Sequence, residues 1–158
     1  MNVSDVMTHG VVSIEPGASE RDAIACMARC RVDALPVVDA AGTLVGMLTE
    51  GDLLRRVEMA TEAARPRWLE RLLAAGAGAD DEARCHGRRV ADVMTADVVT
   101  VGADAPLGEV VRLMETHGIR RLPVVADGRV VGIVSRADLV GALAACLAEG
   151  LPRPRSRD

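Results

Sequence analysis

The sequence has no lysine, no phenylalanine and no tyrosine, and Trp68 is its single tryptophan. Without lysine the chain can form neither a Schiff base nor a P-loop, because both depend on a lysine amine. Without exposed aromatic rings it lacks the platform on which single-stranded nucleic acid is commonly stacked. The core must therefore be built from Val, Leu, Ala, Ile and Met, within an apolar fraction of 49%.

The charge balance and the hydropathy pattern exclude further classes. The 158 residues, enough for one domain core, include 19 basic and 23 acidic side chains, for a net charge of -4. This charge gives no general attraction to nucleic acid or to an anionic membrane. The first ten residues lack a hydrophobic signal core, and the uncharged stretch 139–148 is far shorter than the roughly 20 residues of a membrane span. We therefore expect a cytoplasmic protein without nucleic-acid or membrane partners.

The four cysteines do not have metal-site spacing. Cys26 and Cys30 would share a face of a helix, and Cys85 with His86 could complete a set of four ligands. However, the sequence has no Cys-x-x-Cys pair, and nothing in it places Cys85 near Cys26. We expect no metal, and interpret the cysteines, Cys146 included, as small buried residues in a reducing compartment.

An internal repeat organises the chain. The hexapeptide Val-Ser-Asp-Val-Met-Thr at 3–8 returns as Val-Ala-Asp-Val-Met-Thr at 90–95, and Leu-Pro-Val-Val at 35–38 returns at 122–125. After one extra residue near Ala41, Thr49-Glu-Gly-Asp52 corresponds to Ser135-Arg-Ala-Asp138. The chain therefore contains two copies of one unit.

Each copy is predicted to fold as strand, helix, strand, strand, helix. The capping box at 19–22 predicts a helix through Arg29, and Pro106 suits the first turn of its counterpart. The pair Asp127-Gly128 indicates a tight hairpin in the second copy. A final helix is expected after Thr49 and after Ser135. β-Branched and aliphatic runs predict strands at 11–14, 35–38, 44–48, 98–101, 122–125 and 130–134.

In duplicate, the ordered set Asp-Val-Met-Thr, Leu-Pro-Val-Val, Val-Gly and Thr/Ser-x-x-Asp resembles the CBS (cystathionine β-synthase) motif, over residues 3–58 and 90–146. The resemblance implies an α/β (α+β) fold in which two βαββα units pack through their sheets with pseudo-two-fold symmetry. It also implies a homodimer. In this family, clefts between the motifs bind AMP, ADP, ATP, S-adenosylmethionine or related adenosine-containing ligands.

The resemblance assigns each copy a set of nucleotide-binding residues. The second copy supplies Thr100, Val101, Gly118, Ile119, Arg120, Arg121, Leu122, Pro123, Ser135, Arg136 and Asp138. The first copy supplies a weaker site from Ser13, Ile14, Arg31, Val32, Leu35, Pro36, Thr49 and Asp52. A carboxylate such as Asp138 can accept hydrogen bonds from ribose hydroxyls, a helix start at Ser135 favours phosphate, and aliphatic side chains such as Val101 and Ile119 can enclose adenine.

The same turns have a purely structural interpretation, because Thr/Ser-x-x-Asp is also a helix-capping pattern that needs no ligand. Charge favours ligand binding in the second copy, where Arg120, Arg121 and Arg136 could meet phosphate. The matching positions of the first copy are Asp33, Ala34 and Glu50, with Arg31 as compensation.

Two segments lie outside the repeat. The connector 59–89 contains an apolar stripe at Trp68, Leu69, Leu72 and Leu73, which predicts a helix packed on the rim, with a dimer contact or a lid as alternatives. The tail 147–158 is rich in arginine and proline and is predicted to be disordered.

An enzyme is not expected, because His9, His86 and His117 are scattered and no catalytic arrangement has local support. The prediction is a regulatory module that senses an adenine nucleotide as its ligand, needs no other cofactor and acts on an unknown effector protein. The alternative is a ligand-free dimerisation scaffold for a partner.

Overall fold

The computed structural model describes residues 1–53 and 88–150, with side chains as far as residue 147. Its Cα positions divide the chain into two units. The repeat-1 unit is residues 12–98, and the repeat-2 unit is residues 1–11 together with 99–158. The stripe at Trp68 and almost all of the connector, as well as the tail after residue 150, lie outside the described residues.

The described part of the repeat-1 unit contains α1 (Glu20–Cys30), β1 (Ala34–Val38), β2 (Leu44–Thr49) and the short α2 (Val90–Val93), with residues 50–53 also helical. Strands β1 and β2 pair in antiparallel fashion, with Leu35 opposite Leu48. Ile14 adds a single parallel bridge to Val37. Helix α1 starts where the capping box predicts, because the Ser19 hydroxyl accepts a hydrogen bond from the backbone N–H of Asp22 at 3.0 Å.

The repeat-2 unit repeats this order with β3 (Val101–Gly102), α3 (Leu107–His117), β4 (Arg121–Ala126), β5 (Arg129–Ser135) and α4 (Arg136–Gly150). The three strands form one sheet, in which β3 is parallel and β5 antiparallel to β4. The hairpin between β4 and β5 is the predicted one: Asp127 and Gly128 both have positive φ, 50° and 75°, as a tight two-residue turn requires. Mixed helix and sheet therefore confirm the predicted fold class.

Four predicted boundaries were wrong. The strands expected at 11–14 and 98–101 reduce to the bridge at Ile14 and to β3, because β-branched residues form a strand only where a neighbouring strand supplies hydrogen-bond partners. Pro106 is not in the first turn but caps α3, where its carbonyl accepts from the N–H of Glu109 at 2.9 Å. Helix α4 continues to Gly150, into the segment expected to be a disordered tail, because alanine and leucine dominate its last turns.

The hexapeptides that open the two repeats are exchanged between the units. Val3 is fully buried in the repeat-2 core, and its N–H donates to the carbonyl of Ala105 at 2.9 Å. Val90 is fully buried in the repeat-1 core, and its N–H donates to the carbonyl of Ala18 at 2.8 Å. The repeats are thus contiguous in sequence, whereas each folded unit takes its opening segment from the other repeat.

Each unit has its own aliphatic core. The repeat-1 core consists of Ala23, Met27, Leu35, Val37, Leu48, Leu53, Val90 and Val93, and the repeat-2 core of Val3, Val101, Val110, Met114, Leu122, Val124 and Val134. These are the residue types that the absence of Phe and Tyr requires. Among the described residues, none of the helices has the length and apolarity needed to traverse a lipid bilayer.

Candidate nucleotide site

The predicted repeat-2 residues meet where α3, β4, β5 and α4 join. The β4–β5 register places Arg121 opposite Ser135, the last residue of β5. The backbone N–H of Arg136 donates to the carbonyl of Arg120 at 3.1 Å, which links the start of α4 to the loop before β4. Thr100 immediately precedes β3, which lies parallel to β4. The structure therefore brings the separate sequence motifs of this copy to one corner of the unit.

Ser135 and Asp138 form a complete helix cap. One carboxylate oxygen, Asp138 Oδ2, accepts from the Ser135 backbone N–H at 2.7 Å and from its hydroxyl at 2.6 Å, while the N–H of Asp138 donates to Ser135 Oγ at 3.3 Å. Within the described ranges, the second oxygen, Oδ1, makes no hydrogen bond to the chain. The structural and the ligand interpretations are therefore compatible, because one oxygen caps the helix and the other remains to accept from a ribose hydroxyl.

The start of α4 offers fewer free donors than the sequence suggests. The N–H of Arg136 is bonded to Arg120, and the N–H of Asp138 is bonded to Ser135 Oγ. Two of the N–H groups that are usually available at a helix N-terminus are thus already in use. Charge on the arginine side chains, rather than backbone donors, must supply most of any attraction for phosphate at this corner.

Three of the predicted contact residues are core residues. Leu122 and Pro123 are fully buried, and Val101 is 5% exposed within the repeat-2 core. Their side chains therefore pack inside the unit, and the expectation that Val101 encloses adenine is not supported. Ile119 is half-buried at the edge of the same core and remains an accessible aliphatic side chain.

The positive charge of the site lies on its surface. Arg120 and Arg136 are exposed, and the backbone hydrogen bond between them keeps them adjacent. Arg121 is half-buried and engaged in an interaction within the chain. Gly118, at the end of α3, has a φ of 64°, in the left-handed region, and turns the chain towards Arg120.

The repeat-1 unit reproduces the same framework. Asp52 Oδ2 accepts from the backbone N–H of Thr49 at 2.8 Å and from its hydroxyl at 2.7 Å. The N–H of Glu50 donates to the carbonyl of Asp33 at 2.9 Å, as Arg136 does to Arg120. Arg31 is exposed and ends α1 with a φ of 55°.

The other predicted repeat-1 residues divide by burial. Ser13 is exposed, and Ile14 and Val32 are half-buried beside the repeat-1 core. Leu35 and Pro36 are fully buried. As in the other copy, the residues of the Leu-Pro-Val-Val run therefore act through their backbone and the core rather than through exposed side chains.

Sequence reasoning gave the exchanged hexapeptides no part in the site. Thr8 exchanges two backbone hydrogen bonds with Ile133, two residues before Ser135, at 2.9 and 3.0 Å. Thr95 does the same with Met47, two residues before Thr49, at 2.9 Å. The repeat itself carried this signal, because the hexapeptide is the most similar segment of the two copies.

The cysteines form no metal site in the described part of the chain, where no cluster of three or more ligand side chains occurs. Cys85 and His86 lie outside that part. Cys26 is half-buried, but Cys30 and Cys146 are exposed, so the expectation that all are buried was wrong. Burial raises the pKa of the Cys26 thiol, and a hydrogen bond with Cys30 raises it further, while Arg29 acts in the opposite direction. The Cys26 thiol is therefore less readily deprotonated than an ordinary cysteine thiol.

The duplicated unit, with its paired cap and adjacent strands, defines a tandem-repeat protein of mixed helix and sheet. The family model of the CBS domain matches residues 3–58 and 90–145. The chain belongs to the CBS domain family, and it contains two such domains.

Named relatives agree with this assignment. The CBS domain-containing protein YhcV of Bacillus subtilis is 31% identical over 139 residues, which are 87% of this chain and 82% of YhcV. MJ1404 of Methanocaldococcus jannaschii is 32% identical over 138 residues, and here the chain spans only 31% of the longer relative. The crystal structure of CBSX2 of Arabidopsis thaliana in complex with AMP superposes with a TM-score of 0.70, at 30% identity, over 92% of this chain and 98% of that one.

Proposed function

We propose that the protein is a regulatory module that binds an adenosine-containing nucleotide, such as AMP, ADP or ATP, at the repeat-2 corner. The observation that carries the proposal is the juxtaposition of two exposed arginines, Arg120 and Arg136, with an Asp138 carboxylate oxygen that takes no part in the cap. Membership of the CBS domain family and the AMP complex of CBSX2 support it.

Each part of the nucleotide meets matching chemistry in this proposal. Asp138 Oδ1 accepts from the ribose hydroxyls, as carboxylates do in other nucleotide sites. Arg120 and Arg136 donate to the phosphate, where guanidinium groups form strong charge-assisted hydrogen bonds. Ile119 supplies an aliphatic contact for the adenine ring, and Thr100 adds a hydroxyl group, while the Ser135 hydroxyl holds the cap.

The ligand acts by stabilising one arrangement of the module that an effector protein recognises. Such a response requires that the ligand bind two states with different affinity. In this proposal the protein has no catalytic residue, works as a homodimer and responds to the nucleotide pool of the cytoplasm.

The experiment is a thermal-shift series on the full chain with AMP, ADP, ATP, S-adenosylmethionine and NAD. A ligand at about 100 times its Kd stabilises the folded state by about 2.7 kcal/mol. For a chain of this length that corresponds to a rise in Tm of roughly 5–10 °C. We expect this rise with at least one of the nucleotides, and the absence of any shift at millimolar concentration would overturn the proposal.

A second measurement isolates the phosphate contact by comparing AMP with adenosine. In the double variant Arg120→Glu with Arg136→Glu, AMP affinity should fall at least about tenfold while adenosine affinity stays unchanged. Arg129→Glu is the matched control, because Arg129 is exposed at the opposite end of β5 from Ser135. An equal loss of affinity for both ligands would contradict the assigned role of the arginines.

The alternative function is a ligand-free dimerisation scaffold. It has support in the caps, since both are completed by the chain itself. It also has support in Val140, Leu143 and Leu147, which are 65%, 60% and 59% exposed along one stripe of α4. A protein that dimerises, shows no nucleotide shift and loses its dimer in Leu143→Asp would favour the scaffold over the sensor.

A further inference from the structure

The two candidate sites have the same backbone framework. In each unit, the residue after the cap donates its N–H to a carbonyl in the loop before the first strand of the hairpin: Glu50 to Asp33 at 2.9 Å and Arg136 to Arg120 at 3.1 Å. In each unit, the cap aspartate bonds to the described part of the chain through Oδ2 alone, at distances that agree to 0.1 Å. A ligand whose ribose binds the cap aspartate of one unit therefore meets the same acceptor in the other unit.

The charged side chains at equivalent positions of this framework have opposite signs in the two units. The repeat-2 site carries Arg120, Arg121 and Arg136, and no carboxylate besides the cap aspartate. At the positions equivalent to Arg120 and Arg136, the repeat-1 site carries Asp33 and Glu50, and Glu50 is exposed. In the repeat-1 site, Ala34 occupies the position of Arg121, and Arg31 occupies the position of Gly118.

This inversion decides which 5′ substituent each site accepts. Beside Glu50, a phosphate would meet a like charge, and the repulsion weakens binding of the anion. A cationic substituent would meet an opposite charge at the same place. Among the described residues of this site, Arg31 at the end of α1 contributes the one positive charge.

We propose that the repeat-1 site selects an adenosine derivative whose 5′ substituent is positively charged, with the sulfonium of S-adenosylmethionine as the probe, while the repeat-2 site takes the phosphorylated nucleotide. This inference rests on the proposed function, because it assumes that the cap aspartate of each unit binds ribose. It makes the module a sensor of two chemically distinct adenosine compounds rather than a sensor with one degenerate site.

The experiment is isothermal titration of the full chain with three ligands that share adenosine and differ at the 5′ position: S-adenosylmethionine, uncharged 5′-methylthioadenosine and AMP. S-Adenosylmethionine should bind with one site per chain and with the same affinity whether or not AMP is present at saturation. Methylthioadenosine should bind the repeat-1 site more weakly than S-adenosylmethionine, since it lacks the cationic sulfur.

Charge reversal locates each ligand. Glu50→Arg should lower the affinity for S-adenosylmethionine about tenfold and leave AMP binding unchanged. Arg136→Glu should lower the affinity for AMP about tenfold and leave S-adenosylmethionine binding unchanged. Arginine is compatible with this helix start, because Arg136 occupies the equivalent position. Glu20→Arg, at the opposite end of α1 from Arg31, makes the same charge change as a control and should leave both affinities unchanged.

The outcomes separate this inference from the function on which it rests. Displacement of S-adenosylmethionine by AMP, or its loss in Arg136→Glu but not in Glu50→Arg, would overturn the inference. Binding of AMP without binding of S-adenosylmethionine would also overturn it and leave the proposed function intact. If no adenosine compound binds, the proposed function fails and the inference fails with it.

Discussion

The two units of this chain differ in charge where they agree in geometry. Their caps and hairpin registers correspond position by position, including the irregularity after Val37 in one hairpin and after Val124 in the other. At the corner where a ligand is proposed to bind, however, Glu50 stands where the other unit has Arg136. The comparison teaches that backbone hydrogen bonds and core packing define the fold of the unit, while a few exposed side chains define what each copy can bind.

The same comparison extends to the exchanged hexapeptides, which provide one core valine to each unit. Because Val3 and Val90 are both fully buried, replacing either by alanine leaves a cavity in a single core.

The largest expected effect is therefore that of Val3→Ala. We expect a loss of about 2 kcal/mol in the free energy of unfolding, from the lost burial and the cavity together. In hydrogen exchange, the amides of β4 and β5 should exchange faster, whereas those of β1 and β2 should not. Val90→Ala is the matched variant and should give the reverse pattern. If Val3→Ala instead loosened β1 and β2, the assignment of Val3 to the repeat-2 core would be wrong.

The second prediction concerns two strand glycines, each of which leaves room for a methionine side chain to pack against the strand. A Cβ on Gly132 would lie 2.5 Å from the sulfur of Met7 and 3.2 Å from the carbonyl oxygen of Thr8, and a Cβ on Gly46 would collide with the sulfur of Met94. A methionine side chain can move, but a backbone carbonyl held in a strand bridge cannot move as freely.

We therefore expect Gly132→Ala to destabilise the protein by about 1.5 kcal/mol and Gly46→Ala by about 1 kcal/mol, as measured by urea denaturation. Gly108→Ala on α3 is the control, because a Cβ there meets nothing within 4 Å and alanine favours a helix. Adding Met94→Ala should remove most of the cost of Gly46→Ala, since the three atoms nearest to that Cβ all belong to the Met94 side chain. Equal costs at Gly132 and Gly46 would show that the Thr8 carbonyl adds nothing.

Local patterns predicted the elements well. The serine cap of α1, the Asp127-Gly128 turn and the final helix after Ser135 each depend on hydrogen bonds within a few residues, which the sequence displays directly. Because the unit is repeated, the elements predicted for one copy supported those predicted for the other. This is why the order of elements could be predicted without a structure, whereas the grouping of Arg120 with Ser135 came from the resemblance to the CBS motif.

Other features depend on contacts that are distant in sequence. Nothing in the hexapeptide at 3–8 states which unit will bury Val3, because both cores are lined by the same aliphatic residues. Likewise, Val101 is as apolar as an adenine contact would be, and only the packing of the repeat-2 core shows that it is buried. The charge inversion between the copies, by contrast, was already visible in the sequence, since exposed charges do not depend on packing.

The smallest predicted effect concerns the ends of α1 and α3, where Arg31 and Gly118 adopt the same left-handed conformation with φ of 55° and 64°. A side chain in this region costs about 1 kcal/mol relative to glycine. We therefore expect Arg31→Gly to stabilise the protein by up to about 1 kcal/mol and Gly118→Ala to destabilise it by a similar amount, both measured by urea denaturation. Arg31→Ala should show no such gain, because alanine keeps the Cβ that causes the strain. A stabilisation by alanine equal to that by glycine would assign the effect to the arginine charge instead of to the backbone.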